Sequence, residues 1–372
     1  MNKVRILHVI GQLRRGGCES QLLGLCQRMD KDRYELSICW YSREEEELGD
    51  EFARAGVRTF FFDKFSMPIW TFFRRLRGVV KEVRPDIVHT WMYSANFWGR
   101  WAALTCSVPH LVASERNVIW QSGRIERLSE RLLAGRTLRL ANSQAIAQSL
   151  EKHFCLPVER TRVVYNAVSL PAVDREEARR SVRQELALPA DNKLVLMVGR
   201  LMWPKNYAMF VRTAGRVCGQ RGDVVFLAAG TGPDESDLRA QVESAALAQR
   251  VRFLGFRADV PRLLAAADVF CFTSLSEGFP NAVLEAMFTG LPVVCTSFPS
   301  MSELLTDCEQ AILVPLDDDA AMASQIVALL DDPDRCRRMG ASAQAYVRSR
   351  YIWDRTVASM EAVYGELTQS GQ

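Results

Sequence analysis

Short hydrophobic segments alternate along this chain with longer segments whose apolar residues recur every three or four positions. The short segments do not alternate apolar with polar residues, are rich in β-branched and aromatic residues, and end in turns. Such strands are typical of parallel sheets that helices cover on both faces. The segments are VRILHVI, YELSICW, VRTFFF, DIVHTW, HLVAS and TLRLAN in the first half, and KLVLMVG, DVVFLAAG, VRFLGF, DVFCFTS, PVVCTS and AILVP in the second. Two such series predict two doubly wound α/β domains.

The boundary between the two series is expected within residues 169–192. There, Pro171 and Pro189 enclose a charged segment that separates the strand-like RVVYNAV from KLVLMVG. Near the end of the chain, a helical pattern with one apolar face predicts a helix that docks on a domain. That face consists of Val357, Met360, Val363 and Tyr364. The predicted organisation is a first domain over residues 1–170, a linker over 171–190, a second domain over 191–350 and a C-terminal helix within 351–372.

The composition is that of a globular protein. The chain has 372 residues, of which 48% are hydrophobic and 24% charged, and this length allows two domains. The ten cysteines form no C-x-x-C pair, so we expect free thiols and a cytoplasmic location. At the N-terminus, MNKVRILHVIG has a short apolar segment and no small-residue cleavage site, which predicts a first β-strand and not a signal peptide.

Charge is unevenly distributed between the two halves. Residues 1–170 contain 26 Lys and Arg against 18 Asp and Glu, a net charge of +8, whereas residues 171–372 contain 21 against 26, a net charge of −5. The basic half is therefore expected to face an anionic partner. It has no recognisable nucleic-acid-binding module, which argues against nucleic acid as that partner.

A basic amphipathic helix is predicted over residues 69–84. Its apolar face consists of Ile69, Phe72, Phe73, Leu76, Val80 and Val83, and its cations are Arg74, Arg75, Lys81 and Arg84. Such a helix can lie on an anionic membrane. Alternatively, it packs on the sheet with its cations in water. The sequence leaves both alternatives open.

Two glycine-rich turns match nucleotide-binding motifs only in part. The first, GQLRRGGCES, has Gly17 and Cys18 where a P-loop needs Lys and Ser or Thr. Gly16 and Gly17 still let the backbone approach an anion at a helix N-terminus, although an ordinary tight turn is the alternative. The second, GTGPDE at 230–235, lacks the third glycine and the ribose-binding acid of a dinucleotide fingerprint. A nicotinamide-dependent enzyme is therefore disfavoured.

Two cations follow the first strand of the second half. Arg200 comes directly after KLVLMVG, and Lys205 lies five residues later at a predicted helix start. At the carboxyl end of a strand, two cations can bind a diphosphate, Arg through its planar fork and Lys as a point charge. The alternative is a pair of solvated surface cations.

Two glutamates flank the start of a predicted helix after DVFCFTS. Glu277 lies in a Gly/Pro-rich loop, and Glu285 lies eight residues later inside the helix. The backbone amides of Gly278, Phe279 and Asn281, at the helix start, can receive phosphate oxygens. The two carboxylates can then bind hydroxyl groups on either side of a phosphate. The alternative is one helix-start glutamate and one exposed helical glutamate.

No metal site is predicted. The D-x-D pairs at 30–32 and 317–319 lie at predicted helix boundaries, where helix-end and N-cap roles explain them. The four histidines and the ten cysteines show no metal-ligand spacing. A cationic clamp and a helix N-terminus can stabilise a departing diphosphate in place of a metal ion.

Taken in order, these elements resemble retaining glycosyltransferases of family 4. The resemblance rests on the Gly-Gly loop, on Gly199-Arg200-Leu-x-x-x-Lys205 and on Glu277-x7-Glu285, and VHTWMYSANFWGRWAA, ANSQAI and VVYNAV extend it over nearly the whole chain. The family implies a GT-B fold, in which two Rossmann-like domains face a central cleft. It also implies that the C-terminal domain binds a nucleotide sugar and that the last helix crosses back to the first domain.

The resemblance implies roles for individual residues. Arg200 and Lys205 would neutralise the diphosphate, and Glu285 would bind the ribose hydroxyls. Glu277 would contact hydroxyls of the donor sugar, and Gly17 would let the backbone approach a phosphate or the acceptor. The predicted catalytic residues are Glu277, Arg200 and Lys205, and the predicted donor-binding residues are Glu285, Gly16, Gly17, Gly278, Phe279 and Asn281.

One position departs from the family pattern. Family members often carry a histidine at about the place of Arg116, after the strand in LVASERN. Either Glu115 or Arg116 takes over part of that role, or the role is dispensable in this chain. His89, at the end of the preceding strand, could also face the cleft, although a strand-end histidine is more often structural. Glu115, Arg116 and His89 are therefore candidate contacts to the acceptor or the donor sugar.

The resulting hypothesis is a metal-independent, retaining transfer of a hexose-type sugar from a UDP- or GDP-linked donor. The acceptor is expected to be a hydroxyl of a glycan or of a lipid-diphosphate carrier in cell-surface polysaccharide synthesis, at the inner face of the cytoplasmic membrane. The nucleotide sugar is the substrate, and no cofactor is expected. Two alternatives remain: another GT-B activity, such as an epimerase or a phosphorylase, and a non-catalytic nucleotide-sugar sensor or scaffold.

Overall fold

The chain divides into two compact units, each built around a parallel sheet. The computed structural model describes residues 3–43, 48–117, 123–154, 158–305 and 309–369. The first unit comprises Met1–Ala167 with Trp353–Gln372, and the second comprises Val168–Ile352. All strand pairs in both sheets are parallel among the described residues. The predicted fold class, two Rossmann-like parallel-sheet domains, is confirmed.

The sheet of the first unit has seven strands in its described residues, in the order β3-β2-β1-β4-β5-β6-β7. The strands are β1 (Val4–Ile10), β2 (Tyr34–Trp40), β3 (Arg58–Phe61), β4 (Ile87–Trp91), β5 (His110–Glu115), β6 (Thr137–Ala141) and β7 (Thr161–Val163). The helices between them are α1 (Gly17–Arg28), α2 (Gly49–Arg54), α3 (Ile69–Val83), α4 (Tyr93–Leu104), α5 (Arg124–Leu133) and α6 (Gln144–Phe154). Short 3₁₀ turns cover Lys64–Ser66, Ala134–Arg136 and Val158–Arg160.

The sheet of the second unit has six strands among the residues described, in the order β10-β9-β8-β11-β12-β13. The strands are β8 (Lys193–Val198), β9 (Val224–Ala229), β10 (Val251–Gly255), β11 (Val269–Phe272), β12 (Val293–Thr296) and β13 (Ile312–Val314). The helices are α7 (Arg175–Glu185), α8 (Tyr207–Cys218), α9 (Glu235–Ser244), α10 (Val260–Ala266), α11 (Asn281–Phe288), α12 (Pro299–Leu304), α13 (Asp319–Asp331) and α14 (Pro333–Arg350). A 3₁₀ turn covers Trp203–Lys205.

The strands of the first unit are apolar on both faces because helices cover both faces. Leu22 of α1 and Phe52 of α2 belong to one buried cluster, and Phe72 and Leu76 of α3 belong to another. Strand β1 contributes to both clusters, which explains why its sequence is apolar without alternation. No helix in the described part of the chain combines the length and the apolar character needed to cross a bilayer.

The segment predicted as a linker, 171–190, contains helix α7 of the second unit. Asp174 caps this helix by accepting a hydrogen bond from the backbone amide of Glu177 at 2.9 Å. Arg183 is buried, pairs with Asp268 at 3.2 Å, and donates to the carbonyl oxygen of Asn192. These bonds attach the segment to the second unit, so the prediction of a linker there was wrong.

The last helix, α15 (Trp353–Gln369), belongs to the first unit. Its predicted apolar face is buried there, with Met360, Val363 and Tyr364 in the same cluster as the residues of α1. Gly24 of α1 lies against the Trp353 ring, and a Cβ atom at Gly24 would overlap that ring. A glycine at this point of α1 therefore lets α15 approach closely.

Candidate functional site

The strand order of the second unit brings two sequence-distant loops to one point of its sheet. The chain runs from β8 outward to β9 and β10 and then returns, so β11 pairs with β8. Both strands are parallel and end at the same edge, where the loops 199–205 and 273–280 begin. Ligands of open α/β sheets bind at such a switch point, outside the carboxyl ends of the strands.

Lys205 and Glu277 form an ion pair between these two loops. The Lys205 ammonium donates a hydrogen bond to Oε1 of Glu277, and both side chains are mostly buried. Lys205 ends the 3₁₀ turn, where its own amide donates to the Met202 carbonyl oxygen at 2.9 Å. Leu275, from the other loop, donates its amide to the Pro204 carbonyl oxygen at 2.9 Å. These backbone hydrogen bonds therefore hold the loop that carries Lys205 in place.

Two serine hydroxyls hold Glu277 on the other side. Ser274 donates to the carboxylate of Glu277 at 2.8 Å, and Ser300 donates to its backbone carbonyl oxygen at 2.7 Å. Ser300 is buried in the first turn of α12, after the next strand of the sheet. Neither serine was among the residues predicted from the sequence. The only available signal was a hydroxyl residue near each strand end, which is too common to be specific.

Gly230 and Gly232 serve loop packing, and not a dinucleotide fingerprint. A Cβ atom at Gly230 would overlap the carbonyl oxygen of Gly199, and one at Gly232 would overlap that of Leu201. In addition, the Leu201 amide donates to the Thr231 carbonyl oxygen at 3.0 Å. The loops after β8 and β9 therefore lie in direct contact. Arg200 lies in this loop pair and is exposed.

Helix α11 begins directly after the Glu277 loop. Gly278, Phe279 and Asn281 lead into its first turn, so their amides lie at its positive end. The Phe279 ring is buried against Tyr351, with ring centroids 5.4 Å apart. Glu285 lies one turn inside the helix, and burial raises the pKa of its carboxyl to about 7. The carboxyl is thus close to half ionised near neutral pH.

These features of the second unit suit a ligand that is anionic at its centre and hydroxylated at both ends. Lys205 and the N-terminus of α11 offer positive charge, and Glu277 and Glu285 offer carboxylates that accept hydrogen bonds from hydroxyl groups. Within the described ranges, no group of three His, Cys, Asp or Glu side chains is arranged to hold a metal ion.

Gly16 and Gly17, the glycine pair predicted to approach an anion, lie at the start of α1. This helix begins at the carboxyl edge of the first unit's sheet. Gly16 is the N-cap residue in an extended conformation, and Gly17 is the first helical residue. A Cβ atom at Gly16 would lie 2.5 Å from a carboxylate oxygen of Glu19. Glycine at this position therefore leaves room for Glu19, which is buried in the first turn.

Glu115 and Arg116, at the end of β5, have different surroundings. Glu115 is buried and accepts a hydrogen bond from the Asn96 side chain, and burial raises the pKa of its carboxyl to about 7. The Arg116 guanidinium lies 4.6 Å from the centroid of the Trp91 ring and donates to the Asn166 side chain. Both side chains are over 90% buried.

His89 lies inside the core of the first unit. Its ring nitrogens lie 2.7 Å from the Tyr364 hydroxyl and 2.8 Å from the Ser114 hydroxyl. Burial lowers the pKa of its imidazole well below the usual value, and the nearby charges of His8 and Arg116 lower it further. To contact a ligand, His89 would have to give up one of these bonds, which favours the structural role.

The sequence matches known glycosyltransferases along most of its length. A model described as Glycosyltransferase Family 4 matches residues 15–170, and one described as Glycosyl transferases group 1 matches residues 192–332. A UDP-Gal:alpha-D-GlcNAc-diphosphoundecaprenol alpha-1,3-galactosyltransferase of Escherichia coli is 28% identical over 69% of each chain. A lipopolysaccharide core biosynthesis mannosyltransferase of Rhizobium meliloti is 32% identical over 53% of this chain and 57% of its own.

The fold matches solved structures over nearly the whole chain. The Anabaena protein Alr3699/HepE, solved in complex with UDP-glucose, superimposes with a TM-score of 0.85 at 22% identity, covering 97% of this chain and 99% of that one. The structure of WaaG, a glycosyltransferase involved in lipopolysaccharide biosynthesis, superimposes with a TM-score of 0.74 at 16% identity, over 97% of this chain and all of that one. With both halves matched by glycosyltransferase models, the chain belongs to the family 4 glycosyltransferases of the GT-B fold.

Proposed function

We propose that the protein transfers a hexose-type sugar, with retention of its anomeric configuration, from a UDP- or GDP-linked donor to a hydroxyl of a lipid-diphosphate or glycan acceptor. The observation that carries the proposal is the Lys205–Glu277 pair at the switch point of the second sheet, next to the N-terminus of α11. A diphosphate, a sugar and a ribose together present the charges and hydroxyls that this set of groups can bind.

The leaving diphosphate would be stabilised by fixed positive charge. An ammonium has three donors, so Lys205 can keep its bond to Glu277 and still donate to a phosphate oxygen. Arg200 can add a planar fork, and the α11 amides can add further donors. Stabilisation of charge that develops on the leaving group is a large contribution to catalysis in water-poor sites. In this proposal these cations take the part that a metal ion has in other glycosyl transfers.

Glu277 would orient the donor sugar, and Glu285 would bind the ribose. Retention follows from the family resemblance, which implies attack on the same face as the departing diphosphate, with a phosphate oxygen taking the acceptor proton. In that case the protein itself needs no general base at the reacting hydroxyl. The bond from the anomeric carbon to phosphate breaks, and the bond from that carbon to the acceptor oxygen forms.

The choice of donor and acceptor is supported by the relatives. The Anabaena structure contains UDP-glucose, and the E. coli enzyme is named for a UDP-galactose donor and an undecaprenol-diphosphate acceptor. The positive charge of residues 1–170 suits an anionic, lipid-linked acceptor. We extend these properties to this chain as part of the proposal.

We propose further that the first unit contacts an anionic membrane surface. One face of α3 packs on the sheet, which was one of the two alternatives left open by the sequence. However, Phe65, in the 3₁₀ turn before α3, and Trp70, in the first turn of α3, are 79% and 71% exposed. Next to them, Arg74 and Arg75 are exposed and have no ion pair among the described residues. A second exposed apolar stripe consists of Ile125, Leu128 and Leu132 on α5. Exposed aromatic and aliphatic side chains beside cations favour the membrane interface.

A radioactive or mass-spectrometric transfer assay tests the main proposal. Purified protein should transfer sugar from one of UDP-glucose, UDP-galactose, their N-acetylated forms or GDP-mannose to a short polyprenyl-diphosphate sugar, in the presence of EDTA. The product linkage should keep the α configuration of the donor by NMR. Binding without turnover would favour the sensor or scaffold, and dependence on inorganic phosphate would favour a phosphorylase.

Co-sedimentation with vesicles tests the membrane contact. The wild-type protein should bind vesicles that contain phosphatidylglycerol and not vesicles of phosphatidylcholine alone, and a Phe65→Ser/Trp70→Ser variant should bind less. A Phe256→Ser variant, which removes an exposed aromatic residue of the second unit, is the matched control. Equal binding by all three proteins would argue against the contact.

A further inference from the structure

Among the buried arginines, Arg116 differs in having no carboxylate partner. Among the residues that the structure describes, four arginines are buried: Arg100, Arg116, Arg139 and Arg183. Arg100 and Arg139 both form ion pairs with Glu130, and Arg183 forms one with Asp268. Arg116 takes part in no ion pair within the residues that the structure describes. A buried charge without a counter-charge is costly, because the group has lost its hydration without gaining an opposite charge.

The side chains around Arg116 leave part of its hydrogen-bonding capacity unused. It stacks on Trp91 and donates one hydrogen bond to the neutral Asn166 side chain. Its Nε is buried and has no hydrogen-bond partner among the described residues. Glu115, the adjacent residue, directs its carboxylate to Asn96 instead. The guanidinium therefore has both an uncompensated charge and an available donor.

Arg116 also lies close to the start of a helix. Cys18 is in the first turn of α1, and although burial raises the pKa of its thiol to about 12, the charge of Arg116 opposes that rise. Arg116 stacks on Trp91, the register partner of Ile10 at the end of β1, the strand that leads into α1. An anion bound by Arg116 would thus lie near the positive end of α1, which it would share with the buried carboxylate of Glu19.

We propose that Arg116 binds an oxyanion of the acceptor substrate, namely a phosphate group. The inference rests on the proposed function. It adds that the substrate group bound by the first unit is negatively charged. Where the family often has a histidine, this chain has a residue that stays cationic at any physiological pH and offers a planar fork to an oxyanion. The position would therefore select for an anionic group in this chain.

A purely structural Arg116 is the competing explanation, and stability separates the two. If Arg116 is kept for a ligand, Arg116→Met should leave the Tm of the free protein unchanged or raise it, because the apolar side chain removes an unneutralised buried charge. The matched control, Arg100→Met, breaks a buried ion pair with Glu130 and should lower the Tm. A marked fall of the Tm for Arg116→Met, with unchanged ligand binding, would overturn the proposal.

Titration calorimetry with paired probes identifies the source of the oxyanion. For the acceptor, geranyl diphosphate is compared with geraniol; for the donor, UDP-glucuronate and UDP-glucose are the control pair, and a preference confined to that pair would overturn the proposal. The wild-type protein should prefer geranyl diphosphate to geraniol by on the order of tenfold, and the preference should disappear in Arg116→Met. Arg116→Lys, which keeps the charge but not the fork, should retain part of it. The affinity for UDP alone should be equal in all three proteins.

The outcomes separate this inference from the proposed function. If geranyl diphosphate is not preferred to geraniol, or if Arg116→Met keeps the preference, Arg116 is not the oxyanion site. If neither UDP, GDP nor their sugars bind, the proposed donor is wrong, while the geranyl diphosphate pair still decides the role of Arg116. If UDP binds normally and no probe responds to Arg116, the proposed function stands without this inference.

Discussion

The Lys205 ammonium donates a hydrogen bond to the Glu277 carboxylate across the loops that follow neighbouring strands β8 and β11. The two residues are 72 positions apart in the sequence and meet only because β11 returns to pair with β8. Each side chain limits the rotamers of the other before a substrate arrives. Groups that are held in place in this way need little reorganisation when charge develops on a leaving group.

We expect Lys205→Ala to lower kcat by about 10²- to 10³-fold, since it removes the fixed positive charge and frees Glu277. The free energy of unfolding should fall by only about 1–3 kcal/mol, because Ser274 still donates to the Glu277 carboxylate. Steady-state kinetics and urea denaturation measure the two effects. Arg216→Ala, which breaks a surface pair with Asp319, is the control and should keep kcat. A near-normal kcat for Lys205→Ala would remove the cation from the mechanism.

Ser300→Ala tests whether the backbone of Glu277 must be held in place. Without the 2.7 Å bond from Ser300, the Glu277 loop gains freedom while the carboxylate itself is intact. We expect kcat to fall by about tenfold, with a smaller change in the KM for the donor, and the free energy of unfolding to fall by about 1–2 kcal/mol. Ser181→Ala removes a similar bond to a helix carbonyl oxygen of α7 and should affect stability alone. If both variants lower kcat equally, Ser300 has no positioning role.

Gly230→Ala tests the contact between the loops after β8 and β9. An added methyl group would overlap the Gly199 carbonyl oxygen, and Gly230 also has a φ of +145° that other residues rarely adopt. We expect a loss of at least about 1–3 kcal/mol in the free energy of unfolding and weaker donor binding. By contrast, Gly78→Ala in α3, where nothing lies within 4 Å, should stabilise the protein by about 0.5–1 kcal/mol. Calorimetric unfolding with and without UDP measures stability and donor binding in both variants. Equal effects of Gly230→Ala and Gly78→Ala would argue against a close contact between the two loops.

The fold was predictable because each strand is indicated by its own run of apolar residues. All twelve predicted strand segments coincide with strands, since a strand buried on both faces must be apolar at every position. The linker prediction failed because α7 has few apolar residues and depends on Arg183, a cation whose partners Asp268 and Asn192 lie elsewhere in the chain. From the sequence alone, an arginine that is buried and paired with a distant carboxylate cannot be distinguished from one exposed to solvent.

The candidate site was predictable in its residue types but not in its contacts. Lys205 and Glu277 each follow a strand, which indicates the sheet edge, but their pairing depends on strand order. The role of Ser300 depends in the same way on a neighbouring strand end. His89 illustrates the opposite case, since its partner Tyr364 is 275 residues away on the last helix. Nothing close to His89 in the sequence indicates that its ring is fully buried.

The affinity for the donor nucleotide should increase with pH through the titration of Glu285. Burial raises the pKa of this carboxyl to about 7, so it is mostly protonated at pH 6 and mostly ionised at pH 8. An ionised carboxylate accepts hydrogen bonds from ribose hydroxyls more strongly than the neutral acid does. We expect the Kd for UDP to be several-fold lower at pH 8 than at pH 6 by titration calorimetry. In Glu285→Gln the dependence should be absent, and an unchanged slope in that variant would assign the titration to another group.

Glu115→Gln should stabilise the first unit at high pH and not at low pH. In the unfolded chain this carboxyl titrates near its ordinary value of about 4.3, whereas burial raises its pKa to about 7 in the folded protein. Between these two pH values the folded state binds more protons than the unfolded state, so the free energy of unfolding falls as the pH rises. At about 1.4 kcal/mol per pH unit, the loss is about 4 kcal/mol by pH 8.

Glutamine at position 115 keeps an oxygen that can accept the hydrogen bond from Asn96 but has no charge to bury. We therefore expect the free energy of unfolding of the variant to exceed that of the wild type by about 3–4 kcal/mol at pH 8 and to match it at pH 4. Tryptophan fluorescence during urea denaturation reports mainly on the first unit, because Trp203 is the only one of the eight tryptophans that belongs to the second. Glu361→Gln, at a partly exposed ion pair with Arg33, is the control. If the free energy of unfolding depends on pH in the same way in Glu115→Gln and Glu361→Gln, the buried carboxyl of Glu115 is not the group that lowers stability at high pH.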